Sequence, residues 1–272
     1  MLSIIADRSI IKISGMDAAK FLQNLMTNDV DLAQEKAIYA MMLSPQGRFL
    51  FDMFIIKVKD TYLLDIFTHT KDLMLKKLRM YKINMQVEIE DAHKMRVGYL
   101  SLASGDVPVI EGMQCYKDSR HDALGYRVIV GLSHQVDPYV ISYIQDKYKY
   151  AIPDGGIDLL YDKAMPQEYG AEQLHAISYT KGCYIGQEVI SRTKSQGVVR
   201  KKIYKISADF DMSNIPHGTE IIINGTKTGI FCSGYMQEGI ALIREGDLFF
   251  STDNSLCTLN GHHISLARAI WY

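Results

Sequence analysis

The chain of 272 residues carries 30 basic and 31 acidic side chains, a formal net charge of −1, with 47% hydrophobic and 22% charged residues. Near neutrality excludes an overall field for nucleic acid or an anionic membrane, so any charge-guided binding has to be local. The length suits two or three compact units, and no apolar run reaches the roughly 18 residues of a membrane span.

The start, MLSIIADRSIIKI, lacks a basic leader, and its apolar run breaks at Asp7 and Arg8. No signal peptide is expected, and a cytoplasmic or similarly reducing compartment is. RSIIKI predicts a strand. Ser14 and Asp17 then predict a capping pair ahead of a helix in which Ala18, Phe21, Leu22, Leu25 and Met26 form one apolar stripe. IYAMML and RFLFDMFIIKV predict a hairpin through Ser44-Pro45-Gln46-Gly47, with Pro and Gly where a type I turn wants them. In its second strand Phe49, Phe51, Met53 and Ile55 read as one face and Leu50, Phe54, Ile56 and Val58 as the other. YLLDIF continues the strands, and the spacing of Met74, Leu75, Leu78 and Tyr81 predicts a helix over residues 70–81. QVEIED, MRVGYL and GYRVIV predict further strands, and SHQVDPYVISYIQDKY a helix delayed by Pro138. Beyond Lys201 the texture turns to short strands, with a strong hairpin signal at Asn224-Gly225. The pattern is α+β, with units expected at residues 1–95, 96–200 and 201–272, the last a small β-barrel or sandwich.

Four cysteines, Cys115, Cys183, Cys232 and Cys257, lie far apart without a CxxC pair, so no private metal site is expected. Asp52 sits in a strand apolar on both faces, where a carboxylate needs either a structural partner or a ligand. Glu168, in PQEYG, either belongs to a solvated face or presents its carboxylate to a ligand with adjacent N–H donors. Cys183, in KGCYIGQE, is either an inert buried thiol or an accessible one favoured by Lys181 and a glycine-bounded loop. The run from Arg192 to Lys205, with Arg200 inside it, is either a solvated face or a seat for a polyanion.

KGCYIGQE resembles the K-G-C-Y-x-G-Q-E signature of the YgfZ family of folate-binding iron-sulfur cluster assembly factors. DAAKFLQNLMTNDV, LSPQGRFLFDMF, DSRHDALGYRV and IPDGGIDL are similar to further segments of that family, so the resemblance spans nearly the whole chain. It implies the aminomethyltransferase-like fold, with sheets and helices around a central folate channel and a C-terminal β-barrel. It implies tetrahydrofolate or a polyglutamylated form as cofactor, and iron-sulfur client enzymes or other assembly proteins as partners of a monomer. Cys183 would be the working group. Glu168 would anchor the pterin, with Asp52, Tyr184, Lys181 and Arg200 as further ligand contacts. A mitochondrial matrix location would follow for a eukaryotic source. Phe51 stands where the aminomethyltransferases have the first of two aspartates, which argues against glycine-cleavage chemistry. Two other functions stay open: a folate-dependent one-carbon transferase, and a non-catalytic interaction module stabilised by folate.

Overall fold

The structure is a computed structural model that describes residues 2–101, 108–132, 141–246 and 256–272. The chain runs through β1 (Leu2–Ile4), β2 (Arg8–Ser14), α1 (Ala18–Leu25), β3 (Ile38–Leu43), β4 (Phe49–Val58), β5 (Thr61–Phe67), α2 (Lys71–Tyr81) and β6 (Glu88–Asp91). β7 (Met95–Leu100), β8 (Gln114–Lys117), β9 (Tyr126–Gly131) and α3 (Ile141–Lys149) follow. After a long segment with one 3-10 turn at Pro166–Tyr169 come α4 (Gln187–Gln196), β10 (Lys201–Ser207), β11 (Glu220–Ile223), β12 (Thr226–Tyr235), β13 (Glu238–Arg244), β14 (Cys257–Leu259), β15 (His262–His263) and β16 (Ser265–Arg268).

These strands make three antiparallel sheets, ordered β3-β4-β5-β2-β6, β1-β7-β9-β8 and β15-β14-β11-β12-β13-β10-β16. One face of the first sheet is covered by the apolar stripes of α1 (Phe21, Leu22, Leu25) and α2 (Met74, Leu75, Leu78). Its other face belongs to the core that joins the second sheet and the long segment, through Tyr39, Phe54, Tyr99, Tyr116, Tyr143 and Tyr169. With both faces buried, β4 reads as an apolar run and not as an alternation. The third sheet closes over its own cluster of Ile206, Met212, Ile221, Phe231 and Leu259.

The hairpin forms as expected: Gly47 N–H donates to Ser44 O at 2.9 Å, and β3 pairs with β4. Its faces differ from the simple alternation. Met42 pairs with Phe51 and Leu43 with Phe49, which leaves Leu50 as a bulged residue. One extra residue inverts the side-chain parity, so Leu50 joins Phe51, Met53 and Ile55 under the helices while Phe49 joins Phe54 on the inner face. The Ser14/Asp17 cap is not made. Asp17 precedes α1 without a side-chain capping bond, because its carboxylate accepts from Gln86 N–H at 2.7 Å and ties the turn before α1 to the approach to β6. Residues 133–140 of the helix predicted from Ser133, Pro138 among them, lie outside the described residues; Ile141–Lys149 is helical.

Candidate functional site

Three segments distant in sequence meet at the end of α1. The helix stops at Leu25 as Met26 turns extended (φ −96°, ψ 144°). Carbonyls at a helix C-terminus lack intrahelical partners and carry partial negative charge. Lys181 Nζ donates to Gln23 O, Met26 O and Asn28 O at 2.8, 2.7 and 2.8 Å. Burial pushes its pKa down to about 8, so at neutral pH it remains an ammonium able to serve all three acceptors. Thr27 and Asn28 fasten the same place from the other side. Thr27 Oγ1 donates to Ala176 O at 2.6 Å and accepts from Met41 N–H at 2.8 Å, and Asn28 Nδ2 donates to Tyr39 O and His175 O, each at 2.8 Å.

The hairpin supplies the third wall. Gly186 has φ +84°, and a Cβ there would stand 2.6 Å from Ser44 O and 3.3 Å from Gly47 Cα. Gly47 has φ +72°, and its Cβ would meet Val189 Cβ at 2.8 Å. Turn and loop therefore dock glycine against glycine, which accounts for both motifs needing that residue. Between the fastened Lys181 and the buried Tyr184, Gly182 and Cys183 are exposed. Tyr184 packs its ring 5.3 Å from Lys181 Nζ; its hydroxyl has no hydrogen-bond partner among the described residues, and burial lifts its pKa to about 12. The other thiols are less accessible: Cys115 is half-buried, Cys232 and Cys257 are buried, and burial raises the pKa of all three.

Asp52 lies elsewhere, on the inner face of β4, in a sealed ionic network. Its Oδ2 accepts from Tyr39 OH at 2.7 Å and from Gly155 N–H at 3.2 Å. Nearby, Asp65 accepts from Arg8 Nε at 2.6 Å and from Arg127 Nε and Tyr116 OH, each at 2.7 Å. Arg120 grips Asp118 with two nitrogens, at 2.9 and 2.8 Å, and reaches Asp154 at 2.6 Å. Lys147 stands 3.0 Å from Asp158 and 3.3 Å from Asp154. The guanidinium groups of Arg120 and Arg127 lie 5.1 and 4.5 Å from the Phe54 ring centre. Burial raises the pKa of Asp52 against the pull of Arg8. At Asp65 the same burial is outweighed by Arg127 and Arg8, and at Asp154 by Lys147 and Arg120, so both fall below the usual carboxylate value.

Two adjoining clefts open beside this network. One, of about 920 Å³, is walled by Tyr116, Asp118, Arg120, His121, Lys57 and Trp271 among others; the second, of about 500 Å³, includes Asn28, Tyr39, Tyr179 and Thr180. They share Lys36, Ala37, Ser119 and His175. None of Asp52, Glu168, Lys181, Cys183, Tyr184 and Arg200 lines either cleft. Glu168 and Arg200 border a separate cleft of about 210 Å³, where Glu168 pairs with Lys201 at 3.4 Å. The structure thus gathers Lys181, Cys183 and Tyr184 in one loop, puts Glu168 with Arg200 in another place, and leaves Asp52 apart from both. Lys181, expected beside the thiol as a charge, spends its ammonium on the end of α1. Among the described residues no group of three or more His, Cys, Asp or Glu is arranged to hold a metal ion. Sequence reasoning missed Arg8, Asp118, Arg120, Arg127 and Asp154 as partners. Arg127 carried a signal, a charge inside the apolar stretch GYRVIV, whereas Asp118, Arg120 and Asp154 sit in the polar KDSRHD and the turn-like PDGG, where a charge stands out from nothing.

Residues 6–102 match the family model of the GCVT N-terminal domain. The whole chain has the aminomethyltransferase-like fold: the crystal structure of glycine cleavage system aminomethyltransferase T from Bartonella henselae matches with a TM-score of 0.74 over 98% of this chain and 84% of that chain, at 12% identity. Identity that low speaks for fold alone. Among curated proteins, the chain is 29% identical to the mitochondrial iron-sulfur cluster assembly factor IBA57 of Mus musculus, over 91% of this chain and 80% of that protein. It is 28% identical to the Homo sapiens factor of the same name, over 87% and 75%.

Proposed function

We propose that this protein is a tetrahydrofolate-binding accessory factor for the assembly or repair of iron-sulfur enzymes, 4Fe-4S enzymes in particular, and that Cys183 is its working group. The observation that carries the reading is the loop: one exposed thiol, held in place by the end of α1, the Thr27-Asn28 segment and the β3–β4 turn. A thiolate is both a nucleophile and a soft ligand, which suits contact with a cluster or with the thiols of a client protein. The names of the two mammalian relatives support the cluster-assembly role, and support a mitochondrial location over a bacterial cytoplasm. A one-carbon transferase with Asp52 at the reacting atoms is less well supported, since Asp52 is 4% exposed and lines none of the described clefts.

The pair of adjoining clefts is the place for the folate. Ser119 Oγ, buried and without a hydrogen-bond partner among the described residues, lies on their common wall and offers the unmet polar group a pterin would satisfy. Lys36 and Lys57 on the larger cleft suit the carboxylates of a glutamyl tail, while Lys117 there is paired with Asp122 at 2.6 Å. When bound, tetrahydrofolate supplies a one-carbon carrier; the chain's own residues bind and orient it. Tetrahydrofolate should raise the melting temperature, since a ligand of the native state stabilises it by RT ln(1 + [L]/Kd). Ser119→Trp should remove that shift while Glu168→Gln keeps it; the reverse pattern moves the ligand to the Glu168 and Arg200 cleft. The assembly role itself is tested in cells lacking the protein: 4Fe-4S enzyme activity should fall and return with the wild-type gene, and an unchanged activity contradicts the proposal.

A further inference from the structure

Helix α2 buries one apolar face and carries two exposed apolar side chains among charged residues on the other. Met74, Leu75 and Leu78 point into the core, while Leu73 and Met80 point out, 42% and 55% exposed. Residues 73 and 80 are seven apart, so they share one stripe of the outer face. Ile83, in the turn that follows, is 75% exposed, and Met16, before α1, is 87% exposed. These two turns are held side by side: Asp17 N–H donates to Gln86 O at 3.2 Å, and Gln86 N–H donates to the Asp17 carboxylate at 2.7 Å. Lys76, Lys77, Arg79 and Lys82 surround the stripe, and none of them forms an ion pair among the described residues. Between residues 71 and 83 the one acid is Asp72, in a chain whose net charge is −1. Lys71 alone is committed, to Asp91 at 2.6 Å.

We propose that this ridge seats the protein on an anionic lipid surface. The ridge is a helix lying on the outside of a sheet with two protruding turns at its end, a shape that meets a flat layer along its length. Protein–protein interfaces bury a contiguous apolar centre and are depleted in lysine. Here lysines stand on the outer face between Leu73 and Met80, an arrangement suited to side chains that dip into a headgroup layer while their ammonium groups snorkel to phosphates. The contact is peripheral. Among the described residues, no helix is long and apolar enough to cross a membrane.

The test is co-sedimentation of the full chain with vesicles of phosphatidylcholine containing phosphatidylglycerol, against vesicles of phosphatidylcholine alone, at low and high salt. Wild type should sediment with the anionic vesicles only, and less so at high salt. Each cation near such a surface strengthens binding about fivefold, so Lys76→Gln/Lys77→Gln should weaken it by more than tenfold. Met80→Asp/Ile83→Asp should abolish it with the melting temperature unchanged, because both side chains are solvent-exposed. Wild type that stays in the supernatant overturns the proposal and leaves the ridge to an acidic groove on a protein partner. Undiminished sedimentation of both variants overturns it as well.

Discussion

The network around Asp52 and the loop around Cys183 are two polar regions built in opposite ways. In the first, Asp52, Asp65, Asp118, Asp154 and Asp158 meet Arg8, Arg120, Arg127 and Lys147, all 6% exposed or less. The carboxylate without an ion pair of its own is Asp52, and there burial wins and raises the pKa, whereas at Asp65 and Asp154 the cations outweigh it. In the second, one cation is spent on three backbone carbonyls, and the Cys183 side chain beside it stands in solvent. The contrast separates charged groups buried against one another from a thiol left exposed. A buried ion pair is weak evidence for net stability, but breaking one leaves an uncompensated charge. The network is therefore sensitive to substitution, and Asp118 and Arg120 also wall the larger cleft, whereas Gly182 and Cys183 of the loop are exposed.

The largest expected effect is in the network. Asp65→Asn strands Arg8 and Arg127 in the core and should cost about 3–5 kcal/mol in chemical denaturation. A loss below about 1 kcal/mol would mean that the charges are not sealed. Asp52→Asn is the control in the same network: an amide oxygen still accepts from Tyr39 and Gly155, so stability at neutral pH should stay within about 1 kcal/mol of wild type.

The pH dependence has the corresponding signs. Asp65 and Asp154 have folded pKa values below their unfolded 3.8, so their contribution is present above about pH 4 and is lost as pH falls through the folded values. Asp52 is raised, so its contribution is present below its unfolded pKa and is lost as pH rises through the folded value. Melting curves should show wild type losing stability below about pH 4, and Asp52→Asn gaining on wild type between acid and neutral pH. A flat wild-type profile would break the distinction.

Smaller effects belong to the loop's supports. Lys181→Met leaves three carbonyls at the end of α1 without their donor and should cost about 1–3 kcal/mol. Gly186→Ala meets Ser44 O at a positive φ and should cost a similar amount, of order 1–3 kcal/mol. Gly182→Ala meets nothing within 4 Å and should change stability by less than about 0.5 kcal/mol. Equal effects of the two glycine substitutions in differential scanning calorimetry would mean that the loop does not dock on the hairpin turn.

Much of this was legible in the sequence, and what was not has physical causes. The hairpin, α2 and the Asn224-Gly225 turn between β11 and β12 follow from local turn chemistry and periodicity, which the fold obeys. The bulge at Leu50 is invisible to alternation because both faces of β4 are apolar, so parity carries no signal there. β1 and β8 are too short, three and four residues, for a pattern to emerge. Within the KGCY motif the sequence left a buried and an accessible thiol both open, and the structure shows Cys183 exposed. The duty of Lys181 was not legible, because its partners are backbone carbonyls more than 150 residues away, which no side-chain pattern announces.

The most direct test of the central claim compares Cys183→Ser with Cys115→Ser in cells that lack the protein. Cys183 is exposed and Cys115 half-buried, and serine is a small change at either position. Both variants should fold, with melting temperatures near wild type. The Cys115 variant should restore the activity of a 4Fe-4S enzyme. The Cys183 variant should restore none, because a hydroxyl is neither a comparable nucleophile nor a soft ligand. Full restoration by Cys183→Ser would show that the exposed thiol is incidental to the loop, and the account would fail there.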